Sequence, residues 1–172
     1  SFDSRVLRKP IGGLLAFPER LVKRMELNVM YTKVGLPRRS LNEGGASRPV
    51  RIFVVEDVRL VRRRIVAALT AEPGLLVVGE ADSVKTAQET LMSLAVDVLI
   101  SDISLPGTSE LRNGLDLIKW AVKHDPELRA IVLTNYADEA YRQASQRVGA
   151  IAFLDKSSEF EKLTPTIRRA VG

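Results

Sequence analysis

Glu56, Asp57, Asp102, Thr134 and Lys156 are the residues of this chain whose types could do chemistry together. Each ends or follows a short apolar run. Ile-Phe-Val-Val precedes Glu56, Val-Leu-Ile-Ser precedes Asp102, Ile-Val-Leu precedes Thr134, and Ile-Ala-Phe-Leu-Asp precedes Lys156. If those runs are parallel strands of one open sheet, their ends line one edge, where such sheets bind ligands. Residues spread from 56 to 156 then converge on a single pocket. Three carboxylates, a hydroxyl and an ammonium form a donor set for a divalent cation and a phosphoryl group.

Each residue taken alone has a plainer reading. Glu56 and Asp57 stand before a helix, where acids cap the first turn and meet the positive dipole end. Asp102 precedes Pro106-Gly107 and reads as a turn-former. Thr134 reads as another helix cap, and lysines such as Lys156 are ordinarily solvated. Together the five point elsewhere. Adjacent carboxylates at the mouth of a buried strand repel and raise each other's pKa. A cation relieves that repulsion, and Mg²⁺ commonly takes one or two carboxylates and leaves room for a phosphate oxygen. An aspartate oxygen can also attack phosphorus, since aspartyl phosphates are an established covalent intermediate.

The elements that must position these residues alternate. Strands are expected at 51–55, 75–79, 96–101, 130–133 and 151–154, as continuous apolar runs buried on both faces. Between them, helical spacing runs from Leu60 through Ile65 to Leu69, stopped by Glu72-Pro73-Gly74. Ser83 caps a second helix reaching about 94, and Leu115, Ile118, Ala121 and Val122 mark a third. A fourth spans about 138–148 and a last one 159–171. Strands alternating with helices predict right-handed βαβ units and a parallel sheet.

Four short words carry a resemblance: Val-Val-Glu56-Asp57, Asp102-Ile-Ser-Leu-Pro106-Gly107, Leu133-Thr134, and Phe153-Leu-Asp-Lys156. In order and spacing they resemble the receiver domain of two-component response regulators, over essentially all of 50–172. The likeness is closest to receivers that usually precede helix-turn-helix outputs. It implies a flavodoxin-like (βα)5 fold, a doubly wound five-stranded parallel sheet of order 2-1-3-4-5. It implies Asp102 as phosphoacceptor, with a sensor histidine kinase or phosphotransfer protein as donor. It further implies Mg²⁺ (or Mn²⁺) held by Glu56, Asp57, Asp102 and the Ser104 backbone carbonyl, with Thr134 and Lys156 holding the phosphoryl group. Thr134 and Phe153 would form the switch that reshapes the face of the fourth helix, fifth strand and fifth helix. Ser104 and Tyr136 fill positions that tune phosphoryl lifetime. Such a domain is a phosphoacceptor switch more than a turnover enzyme. The competing reading is a phosphate-independent receiver-fold binding module.

The chain departs from the family pattern in two places. Six residues, 108–113, separate Gly107 from Gly114 where the family usually has two. Ser157 stands where many relatives carry a proline after the lysine, often through a cis bond. A cis bond before a residue other than proline costs about 3 kcal/mol.

The net charge of +5 belongs to one end of the chain. Residues 1–48 hold ten lysines and arginines against four acids, and the rest hold sixteen against seventeen. A boundary is expected at 48/49, after a polar, Gly-rich linker. Upstream, one amphipathic helix is expected at about 18–33. This basic extension reads as a helix packing on the receiver or in a homodimer, or as an element contacting an anionic membrane surface or nucleic acid. No DNA-binding motif is visible there, and DNA binding is not expected of this chain. The output is expected to be contact with a downstream protein, from a stand-alone receiver or a fragment of a longer regulator. The absence of cysteine excludes disulfides and thiolate metal sites. No apolar stretch of spanning length and no secretory signal appear, so a soluble cytoplasmic protein is expected.

Overall fold

The computed structural model describes residues 48–172; the expected helix at 18–33 and the linker lie outside the described residues. Five strands follow one another as β1 (Val50–Val55), β2 (Leu75–Ala81), β3 (Val98–Ser101), β4 (Arg129–Thr134) and β5 (Ala150–Asp155). The helices between and after them are α1 (Arg59–Ala71), α2 (Val84–Leu91), α3 (Gly114–His124), α4 (Glu139–Arg147) and α5 (Leu163–Val171). All pairings are parallel, and the order is β2-β1-β3-β4-β5. Fold class and strand order therefore agree with expectation.

The strands are apolar throughout because the sheet is covered on both faces. On one side Ile52, Val54, Ile100, Ile131 and Leu133 pack with Ile65 and Leu69 of α1 and Leu163 and Ile167 of α5. On the other, Phe53, Val55, Leu99 and Val132 pack with Val84 and Ala87 of α2 and Leu117 and Ile118 of α3. Gly74 and Gly149 end the connections into β2 and β5 with φ of 80° and 94°, a region open to glycine at little cost.

Several boundaries differ from expectation, among them the end of β2, which runs on to Ala81 rather than 79. The third strand starts at Val98 rather than 96, because the carboxylate of Asp97 takes over part of the ladder. Asp97 Oδ2 accepts the Arg51 amide at 2.8 Å, while the Asp97 amide donates to the Arg51 carbonyl at 2.9 Å. The second helix stops at Leu91 rather than 94, where the hydroxyl of Ser93 donates to the Thr90 carbonyl and closes the turn. The last helix begins as a 3₁₀ turn, Phe160–Lys162, and becomes α-helical only at Leu163. Pro165 then falls in the first α-helical turn, where its missing N–H leaves no gap in the ladder.

The Lys156–Ser157 bond is trans, as are all peptide bonds among the described residues. Ser157 uses the amide that a proline would lack: it donates to Asp155 Oδ1 at 2.7 Å, and its hydroxyl reaches the same oxygen at 2.5 Å. Residues 108–113 form a closed loop. The Thr108 amide donates to the Leu111 carbonyl at 2.7 Å, the Leu111 amide returns to the Thr108 hydroxyl at 3.0 Å, and Leu111 packs against the core. Among the described residues no helix is long and apolar enough to cross a membrane.

Asp97 ties the start of this domain together. Arg51 and Arg48 both donate to its carboxylate, at 2.9 and 2.7 Å. Although burial pushes its pKa up, hydrogen bonds from Arg48 and Arg51 outweigh that effect and hold it well below the usual carboxylate range. A carboxylate with a depressed native pKa adds stability above its unfolded pKa and loses it as pH falls toward the native value. Asp97→Asn is expected to lower stability by about 2 kcal/mol at pH 7. The gap from wild type should narrow progressively below about pH 4, as followed by thermal melts across a pH series.

Candidate functional site

The sheet sets the site through its backbone. The Glu56 amide donates to the Ala81 carbonyl at 3.0 Å, the Asp102 amide to the Val55 carbonyl at 3.0 Å, and the Lys156 amide to the Thr134 carbonyl at 2.9 Å. Each residue just past a strand end is thus anchored to the adjacent strand, so the side chains start from neighbouring points on one edge. Gly114 presses α3 against this edge. A Cβ there would lie 1.7 Å from the Asp102 carbonyl oxygen, which also accepts the Ser101 hydroxyl at 2.9 Å. No side chain fits at that approach.

The charged side chains meet under cover. Lys156 Nζ donates to Asp102 Oδ2 at 2.6 Å and forms an ion pair with Glu56 Oε2. Glu56 is 1% exposed, Asp102 7% and Lys156 8%, so water screens these contacts poorly. The other Asp102 oxygen, Oδ1, accepts the Ile103 amide at 2.6 Å and lies 3.4 Å from the Ser104 amide. Glu56 Oε1 is buried without a hydrogen-bond donor among the described residues. Burial, the largest influence, raises the Glu56 pKa; Lys156 opposes it, while Asp102 and Asp57 add to it. Asp57 is exposed beside them, and one oxygen from each of Glu56, Asp57 and Asp102 falls within 4.8 Å of the others. Three carboxylates that close, one with an orphaned oxygen, fit a hard divalent cation.

The capping roles are not realised. The N-cap of α1 is Val58, with no side-chain cap, so neither Glu56 nor Asp57 caps that helix. Asp138 caps α4 by accepting the Tyr141 amide at 2.9 Å, which leaves Thr134 a different place. Thr134 is fully buried at the end of β4, paired in register with Asp155, and its hydroxyl accepts the Tyr136 amide at 3.2 Å. Lys156 is not a solvated surface lysine. The turn reading of Asp102 holds beside its other contact, since Oδ1 serves the loop while Oδ2 meets Lys156.

The remaining expected residues sit around this cluster. Ser104 is exposed two residues beyond Asp102. Tyr136 is exposed at the start of the β4–α4 connection, edge-on to Tyr141 at 6.1 Å. Phe153 is buried, turned into the core beside Val132. Two arginines escaped the sequence reading. The Arg142 guanidinium lies 4.7 Å from the centre of the Phe153 ring and donates to the Phe153 carbonyl at 3.3 Å. Arg62, on α1, donates to the Glu56 carbonyl at 2.6 Å. Neither carried a signal in the sequence, since both stand among other charged residues on their helices.

Residues 52–168 match the response regulator receiver domain family. The chain belongs to that family. Receiver domains are phosphoacceptor switches of two-component signalling, and they bind Mg²⁺ at an acidic pocket. Among curated relatives, the DNA-binding transcriptional activator DevR/DosR of Mycobacterium tuberculosis is 32% identical over 119 residues, 69% of this chain and 53% of that protein. The transcriptional regulatory protein YvfU of Bacillus subtilis is 30% identical, over 71% of this chain and 59% of that protein. The chain thus spans somewhat over half the length of these relatives. Among solved structures, the receiver domain of the putative response regulator NarL from M. tuberculosis superposes with a TM-score of 0.65 at 27% identity, covering 73% of this chain and 99% of that one. RcsB from Salmonella enterica serovar Typhimurium, bound to promoter rprA with phosphomimetic BeF3-, gives 0.66 at 26% identity, covering 72% and 60%.

The buried cluster has a measurable consequence in this receiver. A carboxylate whose native pKa is raised favours the folded state below its unfolded pKa and loses that benefit as pH rises through the native value. Glu56→Gln should therefore raise the melting temperature of metal-free protein at pH 7 by a few degrees. That gain should vanish near pH 4, where wild-type Glu56 is already protonated, in calorimetric scans with chelator present.

Proposed function

We propose that this receiver accepts a phosphoryl group on Asp102 from a sensor histidine kinase or a phosphotransfer protein. The observation that carries the reading is the buried Lys156 ammonium shared between Glu56 and Asp102, at the sheet edge where β1, β3 and β5 end. A carboxylate oxygen of Asp102 forms the new O–P bond as the donor's N–P bond breaks, and the imidazole nitrogen keeps the electron pair. Lys156 stays within reach of the charge that builds on the phosphoryl oxygens, and the Thr134 hydroxyl donates to one of them. Glu56, Asp57, Asp102 and the Ser104 carbonyl would hold Mg²⁺ (or Mn²⁺). When bound, the cation offsets the clustered carboxylate charge and polarises the phosphoryl group.

Output follows from added charge. An aspartyl phosphate brings negative charge to a site where Thr134 is already buried, as phosphorylation does when it biases a two-state element. Movement of Thr134 toward that charge alters the space beside Phe153, which packs next to β4, and so reshapes the α4–β5–α5 face. Ser104 and Tyr136, both exposed at the mouth, set how readily water reaches the phosphoryl group. The domain is a switch, with at most Mg²⁺-dependent self-phosphorylation from small donors and slow self-dephosphorylation. Its partners in this reading are the cytoplasmic kinase side, a downstream protein and a second copy in a homodimer.

Incubation with acetyl phosphate and Mg²⁺, read by intact mass, tests the reading. One phosphoryl adduct is expected on the wild type and none on Asp102→Asn or without metal. Lys156→Met should accept phosphate about 100-fold more slowly, the cost typical of removing one charge-stabilising donor. A folded wild type that takes no phosphate would overturn the proposal in favour of a phosphate-independent binding module.

A further inference from the structure

Arg62 is the one basic side chain of α1 that turns back toward the acidic edge instead of facing solvent. Its guanidinium donates to the Glu56 carbonyl at 2.6 Å, lies 3.5 Å from the Asp57 carbonyl, and approaches the Glu80 carboxylate at 3.6 Å. The side chain is 14% exposed, although three arginines nearby on the same helix, Arg59, Arg63 and Arg64, are exposed. The helix needs this contact. Its N-cap, Val58, offers no side-chain oxygen, so no helix cap steadies the carbonyls of the two residues that carry the carboxylates. The Glu56 amide is already held by Ala81 of β2. With Arg62 on its carbonyl, Glu56 is pinned from both sides of its peptide frame.

We infer that Arg62 is a positioning residue for the cation site: it locks the Glu56–Asp57 backbone so that both carboxylates face the Asp102 edge before any cation arrives. This inference rests on the reading of the acidic cluster as a Mg²⁺ site. A guanidinium suits the task because its rigid fork can reach neighbouring acceptors at once, which a lysine ammonium on a flexible stem does less well. Without it, the 56–57 turn samples other directions, and binding must select the competent one. Apparent affinity falls by the fraction of time the turn is competent, whereas the geometry of the loaded site is unchanged.

That predicts a split between affinity and rate. In isothermal titration of the purified chain with MgCl₂, Arg62→Met is expected to weaken binding at least fivefold and Arg62→Lys at least threefold. Glu80→Gln, which removes only the long outer ion pair, should bind like wild type. Saturating Mg²⁺ should restore acetyl phosphate labelling of the arginine variants to within about twofold of wild type. Circular dichroism and thermal melts establish folding, and if Arg62→Met does not fold, Arg62→Lys decides. Folded arginine variants that bind Mg²⁺ as wild type does would overturn the inference alone. So would a labelling rate that stays low at saturating Mg²⁺ with unchanged affinity. Wild type that binds no Mg²⁺ would overturn the reading of the site and this inference with it.

Discussion

Everything at the functional edge depends on one buried ammonium. Lys156 lies between Glu56 and Asp102, and the Glu56 carboxylate has no other polar partner among the described residues. Two carboxylates at the separations found here repel by on the order of 3 kcal/mol at an effective dielectric of 20. Taking them out of water adds a desolvation cost that a single cation offsets only partly. Burial therefore still raises the Glu56 pKa despite the lysine beside it. The cluster is a stressed arrangement that the rest of the fold must hold in place.

The sheet supplies the holding. Parallel strands buried on both faces leave their C-terminal ends as the places where charge can emerge, and the packed core on each side keeps the ends from shifting. Second-tier contacts refine this frame: Gly114 lets α3 begin hard against the Asp102 carbonyl, and Arg62 takes the carbonyl of Glu56. On the far side, Arg142 covers the ring of Phe153 and binds its carbonyl. The aromatic reached by any movement of Thr134 is thus already tied to α4, the helix whose face is proposed to change.

Much of this was legible from the residues because doubly covered strands are unbroken apolar runs, and helices between them repeat every three or four positions. The five charged and hydroxyl residues stood out because they sit where those runs end. What stayed hidden depended on where long or small side chains land. Asp97 displaced the start of β3 by serving as a surrogate ladder partner, and the last helix opens with one 3₁₀ turn before it becomes α-helical. Arg62 and Arg142 look like any other arginines on helices rich in charge. The capping role weighed for Glu56, Asp57 and Thr134 was physically sound for their positions, yet Val58 and Asp138 occupy the caps.

The amides of Glu56, Asp102 and Lys156 all donate to the last carbonyls of neighbouring strands. Position at the edge is consequently a property of the main chain, and chemical identity is a property of the side chain alone. The two can be varied separately. An acid there can become an amide, or the lysine a neutral residue, while the frame that aims each position survives. The domain is therefore suited to divergence in which descendants drop the reaction and keep the shape, or keep the shape and acquire another ligand.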